Sequence, residues 1–378
     1  MKKITIIGAG IGGLTTAIAL QKKGFEVELF EKAQKISPVG AGLFLASNAM
    51  QIYSELGLRE KIELAGHTVS ELFITKPNLA KLTVMNLAYF ENLYKVKNVA
   101  IHRYQLQDIL IKALKPNTKI YFDYELDFLE NKGEGYLLNF KNGSKIETEI
   151  VLGADGIHSK VRAHIFEENC IIRKAKQICW RAVVGYKLPE NYQHKMVEIW
   201  GRGKRFGFSQ ISENTVYWFA LVNEKMDTEV ELLEHFTEFD SLIINLIKSA
   251  HKSKVHKDSI HDLQPISRWS KDGICLIGDA AHATTPNLGQ GACQAIEDGY
   301  YLAKFLSEYK REEVFEKFER FRKQKVNKIV NTSWKLGKIA QTSNPIIQFV
   351  RNIIFSFTPT QYNLKQSDNI FKLKKMER

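Results

Sequence analysis

Ile4-Thr5-Ile6-Ile7-Gly8-Ala9-Gly10-Ile11-Gly12-Gly13 is the stretch from which the rest of the chain is read. Ile4, Ile6 and Ile7 form the short apolar run of a buried strand, and the glycines break it. Leu14, Ala17, Ile18 and Gln21 then recur at helical spacing, and Gly24 suits the residue just past a helix end. The following FEVELFEK returns to alternation and stops at Glu31. Strand, glycine turn, helix and a second strand ending in an acid form the context in which Gly-x-Gly-x-x-Gly holds a dinucleotide. Gly8 permits the tight turn, Gly10 lets the backbone approach a pyrophosphate, and Gly13 lets helix and strand pack closely. The helix N-terminus offers unpaired N–H groups and a partial positive charge. Glu31 can accept hydrogen bonds from two ribose hydroxyls. By itself the motif does not choose between FAD and NAD.

Two later segments repeat the pattern of a strand delivering an acid beside glycine. Val151-Leu152-Gly153-Ala154-Asp155-Gly156 ends a strand in Asp-Gly before a short helix, which alone reads as an ordinary turn. The buried run GICLIG delivers Asp279, placed to bind ribityl hydroxyls, and is followed by Pro286-Asn287-Leu288-Gly289-Gln290-Gly291-Ala292. That loop opens a helix, and its N–H groups suit the anionic edge of a reduced flavin ring. His282, between them, is read as a structural histidine.

The 378 residues can bury a large core, as one intricate domain or two intertwined ones. Apolar residues make up 44% and charged residues 25%, a soluble globular balance. The net charge of +12 raises the question of nucleic acid, but bases and acids interleave, as in KREEVFEKFERFRKQKVNK from Lys310. This is a solvated helix face, and a basic enzyme that attracts anionic substrates explains the sign equally well. Cys170, Cys179, Cys275 and Cys293 show no metal-like spacing, so reduced thiols and a cytoplasmic setting are expected. Met1-Lys2-Lys3 runs straight into a strand, not a signal peptide, and no apolar run is long enough to span a membrane.

Between the nucleotide elements, residues 45–65 and 103–115 are expected as helices and Leu72 to Leu93 as strands turning at Pro77-Asn78. A β meander is expected from Ile120 to Leu152, with a hairpin at Lys141-Asn142-Gly143. Residues 178–222 alternate as an antiparallel sheet with one wet face, 229–250 return to helix, and the chain beyond the 273–278 strand is mostly helical. The fold class is therefore α/β: a Rossmann-like domain built from discontinuous segments, an inserted antiparallel sheet domain and a C-terminal helical region. The bounds are 1–70, 98–170 and 265–340 for the first, 71–97 and 171–264 for the second, and 341–378 for the tail.

The order and spacing of these elements over about residues 1–340 resemble the class A FAD-dependent monooxygenases, the para-hydroxybenzoate hydroxylase type. The resemblance implies that Gly8, Gly10, Gly13 and Glu31, with Lys32 beside it, hold the ADP half of FAD. It implies that Arg103, heading RYQLQDIL, contacts the cofactor. Asp155 and Gly156 match a second pyrophosphate motif, and Asp279, Pro286, Gly289, Gln290, Gly291 and Ala292 match the segment near the flavin ring. NAD(P)H would reduce the flavin and O₂ would form a C4a-hydroperoxide that hydroxylates or epoxidises a small aromatic or heteroaromatic substrate. Within the class the likeness runs to urate hydroxylases, with zeaxanthin epoxidase and salicylate hydroxylase types beside them. Gly203-Lys204-Arg205 and Tyr217 match the urate enzymes' substrate-binding arginine and active-site tyrosine; Arg181 is a further candidate.

Two departures weaken urate itself. Cys179 stands where those enzymes have a substrate-contacting Asn, and Asn287 stands where they have Asp. Asn287 is nonetheless expected near substrate. The rivals are a flavin oxidoreductase or halogenase on the same fold, though no WxWxIP motif occurs, and a non-catalytic FAD-binding protein. Neither a metal nor a nucleic-acid partner is expected, and the chain is expected as a monomer or homodimer. The apolar segment Pro345 to Phe357 is read as a helix docked on the core in preference to an interfacial membrane helix.

Overall fold

The computed structural model describes residues 3–37, 41–166, 170–227 and 230–376, with the backbone alone at Ser253. Its first layer is a six-stranded, mainly parallel sheet. β1 (Lys3–Ile7) lies between β2 (Glu26–Glu31) and β12 (Val151–Gly153). β8 (Lys119–Phe122) and β19 (Ile274–Leu276) extend it in parallel, and β18 (Ser270–Lys271) closes one edge antiparallel. Both sides are covered, so β1 is buried from Ile4 to Ile7, with Ile4, Thr5 and Ile6 wholly buried.

Helix α1 (Ile11–Lys22) is buried on almost every side, because the sheet lies beneath it and α9 (Gly291–Glu308) runs along it. Their backbones approach closely: a Cβ on Gly299 would fall 2.4 Å from Thr16 Oγ1. Helices α2 (Ser47–Glu55), α3 (Arg59–Ala65), α4 (Ala88–Tyr94), α5 (Arg103–Lys112) and α6 (Lys160–Ile165) complete this part. A small sheet of β3 (Gly42–Leu45), β7 (Val99–His102) and β4 (His67–Thr68) sits beside them.

The second large sheet has seven strands in the order β17 (His256–Leu263), β13 (Ile172–Gly185), β16 (Thr215–Asn223), β15 (Lys204–Ser212), β14 (Lys195–Trp200), β5 (Glu71–Thr75) and β6 (Lys81–Asn86). It is antiparallel except for the β14–β5 pair. One face, with Trp180, Phe206, Phe208 and Trp218, packs on Phe236, Phe239 and the apolar side of α7 (Ser241–Lys248). By the two-residue period, the other face is turned toward the parallel sheet. Beyond α8 (Asp279–His282), α10 (Arg311–Ala340), α11 (Pro345–Phe357) and α12 (Thr360–Phe371) end the described chain.

Four expectations are corrected. Only β9 (Leu126–Asn131), β10 (Tyr136–Phe140) and β11 (Lys145–Thr148) form the meander, with the hairpin at Gly143 as expected. β8 and β12, read as its ends, join the parallel sheet, since a short apolar run does not reveal which neighbour it will pair with. Residues 88–94 are helical, because Leu87, Phe90 and Tyr94 recur at helical spacing. Of 229–250, Glu229 lies outside the described residues, and the rest is a 3₁₀ turn (Leu232–Phe236) and α7, whose start Asp240 caps by accepting from Leu242 N. Finally, α11 does dock, through Arg351 and Phe355, but its apolar stripe points away from the core.

Candidate active site

The loops leaving the C-terminal ends of β1, β12 and β19, three neighbours in the parallel sheet, converge on one cavity of about 540 Å³. The carboxyl edge of such a sheet is where ligands bind in open α/β folds. Gly10, Ile11 and Gly12 line it from the first loop, Ala154 and Gly156 from the second, and Gly278 and Asp279 from the third. Pro286 to Ala292 adds a fourth wall. Neither α1 nor α9 carries a side-chain cap, so both helix starts turn backbone N–H groups toward this space.

The glycines divide by role. Gly8 has φ +105°, and a Cβ there would come within 2.4 Å of Ala154 O; Gly13 would collide with Gly8 O at 2.0 Å. These two shape the turn. Gly10 and Gly156 have open space where a Cβ would be, and both line the cavity. Glu31 stands behind the loop, accepting from Ala9 N at 2.8 Å and Ala33 N at 3.0 Å, and Lys32 is exposed beside it; neither lines the cavity. Asp155 turns away altogether: it accepts from Ser159 Oγ and from the N–H groups of Lys160 and Val161, fixing α6 and the backbone of Gly156.

Arg103 does reach the cavity, and its guanidinium forms no ion pair among the described residues. Asp279 is open to the cavity, yet protein crowds it enough that desolvation pushes its carboxyl above the ordinary value, against His282 and Arg103. Gly289 takes the left-handed conformation that ends the Pro286–Leu288 turn. The Gln290 side chain leaves the cavity for the interior, where it accepts from Asn48 and Gln294. A cavity with two uncapped helix starts, glycine backbone, an unpaired arginine and an aspartate fits a group that carries phosphates at one end and hydroxyls near the other.

The far part of the cavity belongs to the seven-stranded sheet. Tyr217 of β16 rests on Gly42, where a Cβ would fall 2.4 Å from its ring. Burial, aided by Cys179, pushes its hydroxyl above the ordinary tyrosine range, against Arg181. Arg181 pairs with Asp258 at 2.8 Å and stays charged, because Cys179, Tyr217 and Asp258 outweigh its desolvation. Arg205 is 2% exposed and is held on all sides. Its Nε donates to Gln341, Nη1 to Glu198 and Asn287, and Nη2 to Gln177. Asn287 is equally engaged: its amide donates to Thr285 Oγ1 and Ser333 O, and its oxygen accepts from Arg205. Asn287 lines the cavity as expected of a residue near substrate, but both amide N–H groups are taken by protein and its oxygen already accepts from Arg205. Around these groups the walls are apolar, with Leu72, Ile74, Met85, Phe219, Leu221 and Phe371 prominent.

Residues 1–333 match the family model described as FAD binding domain. The chain belongs to that family of flavin monooxygenases. It is 32% identical over 357 residues to "Aurachin C monooxygenase/isomerase" of Stigmatella aurantiaca, covering 92% of each chain. It is 30% identical over 383 residues to "2-heptyl-3-hydroxy-4(1H)-quinolone synthase" of Pseudomonas aeruginosa, covering 97% of each. Its fold matches that of Klebsiella pneumoniae HpxO complexed with FAD and uric acid with a TM-score of 0.90, at 22% identity over 98% of this chain and 96% of that one. As a family member the chain is an FAD-dependent monooxygenase; its relatives act on aromatic or heteroaromatic substrates, and NAD(P)H use is typical of the family.

This flavin monooxygenase also holds a buried charge network that motif reading did not anticipate. Asp298 of α9 accepts from His282 Nε2 at 2.5 Å, Gly278 N at 2.9 Å and Arg322 Nε at 2.9 Å. Desolvation would raise its carboxyl, but His282 and Arg322 hold it below the ordinary value. His282 is thus the structural residue expected, anchoring the strand-to-Asp279 turn. Glu198, Gln177 and Gln341 were missed as well. Alternation in Met196-Val197-Glu198-Ile199-Trp200 could have put Glu198 on the cavity face; Gln341, remote in sequence, carries no local signal.

Proposed function

We propose that the chain hydroxylates a flat heteroaromatic ring bearing an apolar side chain, of the 2-alkyl-4-quinolone type, at the ring carbon beside the carbonyl. The observation that carries this is the cavity's second half: Leu72, Ile74, Met85, Phe219 and Leu221 dominate a sheet face whose polar groups are Arg181 with Tyr217, Ser209, and Arg205 with Glu198, the last two already paired with each other. A polar purine would leave its many donors and acceptors facing Leu72, Ile74, Phe219 and Leu221 without partners. Arg205, the arginine expected to meet urate, spends four of its five N–H donors on protein. The names of the quinolone synthase and the aurachin C enzyme, both at 30% identity or above, point the same way.

When bound, FAD would take hydride from NAD(P)H and activate O₂; the balance is one oxygen atom into the substrate's C–H bond and the other into water. The N–H groups opening α1, at Gly10 and Gly12, would hold the pyrophosphate, and Glu31, which fixes that turn through Ala9 N and Ala33 N, would offer the ribose only its remaining lone pairs. Arg103, Asp279, Gly156 and the Pro286–Ala292 loop would border the ring end. Tyr217, kept protonated by burial, would donate to the substrate carbonyl, with charged Arg181 behind it. Arg205 and Asn287 are positioning residues that tie the sheet to the flavin loop, and the apolar walls exclude water. Segments 1–70, 98–170 and 265–340 would serve the cofactor, and 71–97 with 171–264 the substrate. Four unpaired cysteines suit a reducing, cytoplasmic setting.

The test is NAD(P)H oxidation and O₂ uptake by the yellow protein across alkylquinolones, phenols and urate, with mass analysis for a product one oxygen heavier. Coupled turnover of an alkylquinolone is expected. Stimulation by urate alone would overturn the substrate reading while leaving the flavin reading intact.

A further inference from the structure

Helix α11 wears its apolar side outward. Between Ile346 and Phe357, seven Ile, Val and Phe side chains are 41–81% exposed, led by Phe357 at 81%, Ile346 at 72% and Phe349 at 66%. They recur at i, i+1, i+3, i+4, i+7, i+8 and i+11, which is one face of a helix. The opposite face holds the helix to the protein. Arg351, 2% exposed, donates to Ala340 O at 2.7 Å and lies over the Trp200 ring, against which Phe355 packs edge-on at 4.7 Å. A helix that served only the core would point the other way, and an exposed apolar patch this continuous marks a contact surface.

Charge identifies what covers it. No Asp or Glu occurs between Glu319 and Asp368; of the nine Lys and Arg in that stretch, Arg322 and Arg351 are buried and Arg320, Lys323 and Lys325 pair with acids, which leaves Lys328, Lys335, Lys338 and Lys365 exposed. Lys335 and Lys338 are exposed near the end of α10, and exposed Arg202 donates to Ser343 O at 2.8 Å, just ahead of α11. A second copy of the chain, meeting this face about a two-fold axis, would set these cations against themselves. An anionic lipid surface satisfies both the stripe and the cations. The helix has 13 residues, and no described helix is long and apolar enough to cross a membrane, so it would lie in the surface.

We propose that α11 is an interfacial helix that docks the enzyme on an anionic bilayer, its Ile, Val and Phe stripe in the headgroup layer and Arg202, Lys335 and Lys338 facing lipid phosphates. Docked so, the protein turns one wall of its cavity toward the membrane, because Trp200 beneath α11, Leu336 on α10 and Phe371 on α12 all line that cavity. The proposal stands independently of the substrate.

The FAD-loaded protein is floated with vesicles of phosphatidylglycerol and phosphatidylcholine, or of phosphatidylcholine alone. It rises with the mixed vesicles, and Phe349→Asp/Phe357→Asp loses about tenfold or more of that binding with an unchanged flavin spectrum. Lys335→Glu/Lys338→Glu, which leaves the stripe alone, loses the preference for phosphatidylglycerol and decides the matter if the first variant fails to fold. Protein that stays at the bottom with both vesicles overturns the proposal. So does a dimer, seen by light scattering, that Phe349→Asp/Phe357→Asp converts to monomer.

Discussion

Arg205 on the seven-stranded sheet and Asn287 in the loop after β19 meet at 2.9 Å, Nη1 to Oδ1, a part-buried hydrogen bond that ties the two halves of the cavity together. Glu198, Gln177 and Gln341 complete the arginine's shell, and Thr285 and Ser333 complete the amide's. The arrangement makes Arg205 a keystone between sheet, loop and α10. Its removal affects the geometry of the site and the stability of the fold together.

Arg205→Met should therefore destabilise the protein by roughly 3–5 kcal/mol, since it removes a buried cation's four hydrogen bonds and leaves Glu198 and three amides without that partner. Urea unfolding monitored by tryptophan fluorescence measures this. A variant as stable as the parent, changed only in KM, would show instead that Arg205 serves the substrate directly.

Gly8→Ala and Gly10→Ala should part company. At Gly8 the positive φ and the 2.4 Å approach to Ala154 O forbid a side chain, so that variant should fail to fold or purify. Gly10 has free space, so Gly10→Ala should fold normally. Its methyl would stand where the pyrophosphate approaches, and FAD affinity should drop at least about tenfold, equal to 1.4 kcal/mol. Titrating apoprotein with FAD by flavin fluorescence distinguishes the two.

Alkaline pH should unfold the enzyme through its buried tyrosines. Tyr53, Tyr217 and Tyr301 are raised above the ordinary value of 10.0, chiefly by burial. The native state thus keeps protons that the unfolded chain releases from pH 10.0 upward, and stability present below that pH declines as pH rises. Urea midpoints at pH 8 and pH 10.5 should differ, with the lower value at high pH. Tyr217→Phe should fold and bind FAD but weaken substrate by roughly five- to thirtyfold, the cost of one unmet carbonyl.

An alkyl series tests the apolar half of the cavity. Each added methylene that reaches the Leu221–Phe371 wall removes about 0.8 kcal/mol worth of apolar surface from water, so Kd should fall about fourfold per carbon until the space is filled. Isothermal titration in the absence of NAD(P)H measures this without turnover. A flat response would place the chain in solvent and contradict the proposed orientation.

The local order of elements was legible because it is written at short range. Ile4 to Glu31 contains its own turn, helix start and strand pair, and Asp279 with Pro286 to Ala292 contains another; periodicity and glycine chemistry need no distant partner to be understood. By the same reasoning the two-residue alternation of residues 178–222 announced a sheet with two unlike faces. What periodicity could not supply was pairing. β12 has three residues, and only the folded chain shows that it lies beside β1 and not beside β11.

Side-chain commitments were still less visible. The residue types of Asp155, Arg205 and Asn287 suit ligand binding as well as they suit structure, and the choice depends on neighbours far away in sequence. Asp155 became a helix cap through Lys160 and Val161; Arg205 met Gln341 across 136 positions. The outward stripe of α11 is of the same kind, since amphipathicity shows in the sequence but the direction of the apolar face does not. The chain alone determined that it would build a cavity for a dinucleotide at the edge of a parallel sheet. Tertiary contact decided which polar groups look into that cavity and which are consumed in walling it, because a hydrogen bond or a buried charge is settled by what comes within about 3 Å, not by what is adjacent along the chain.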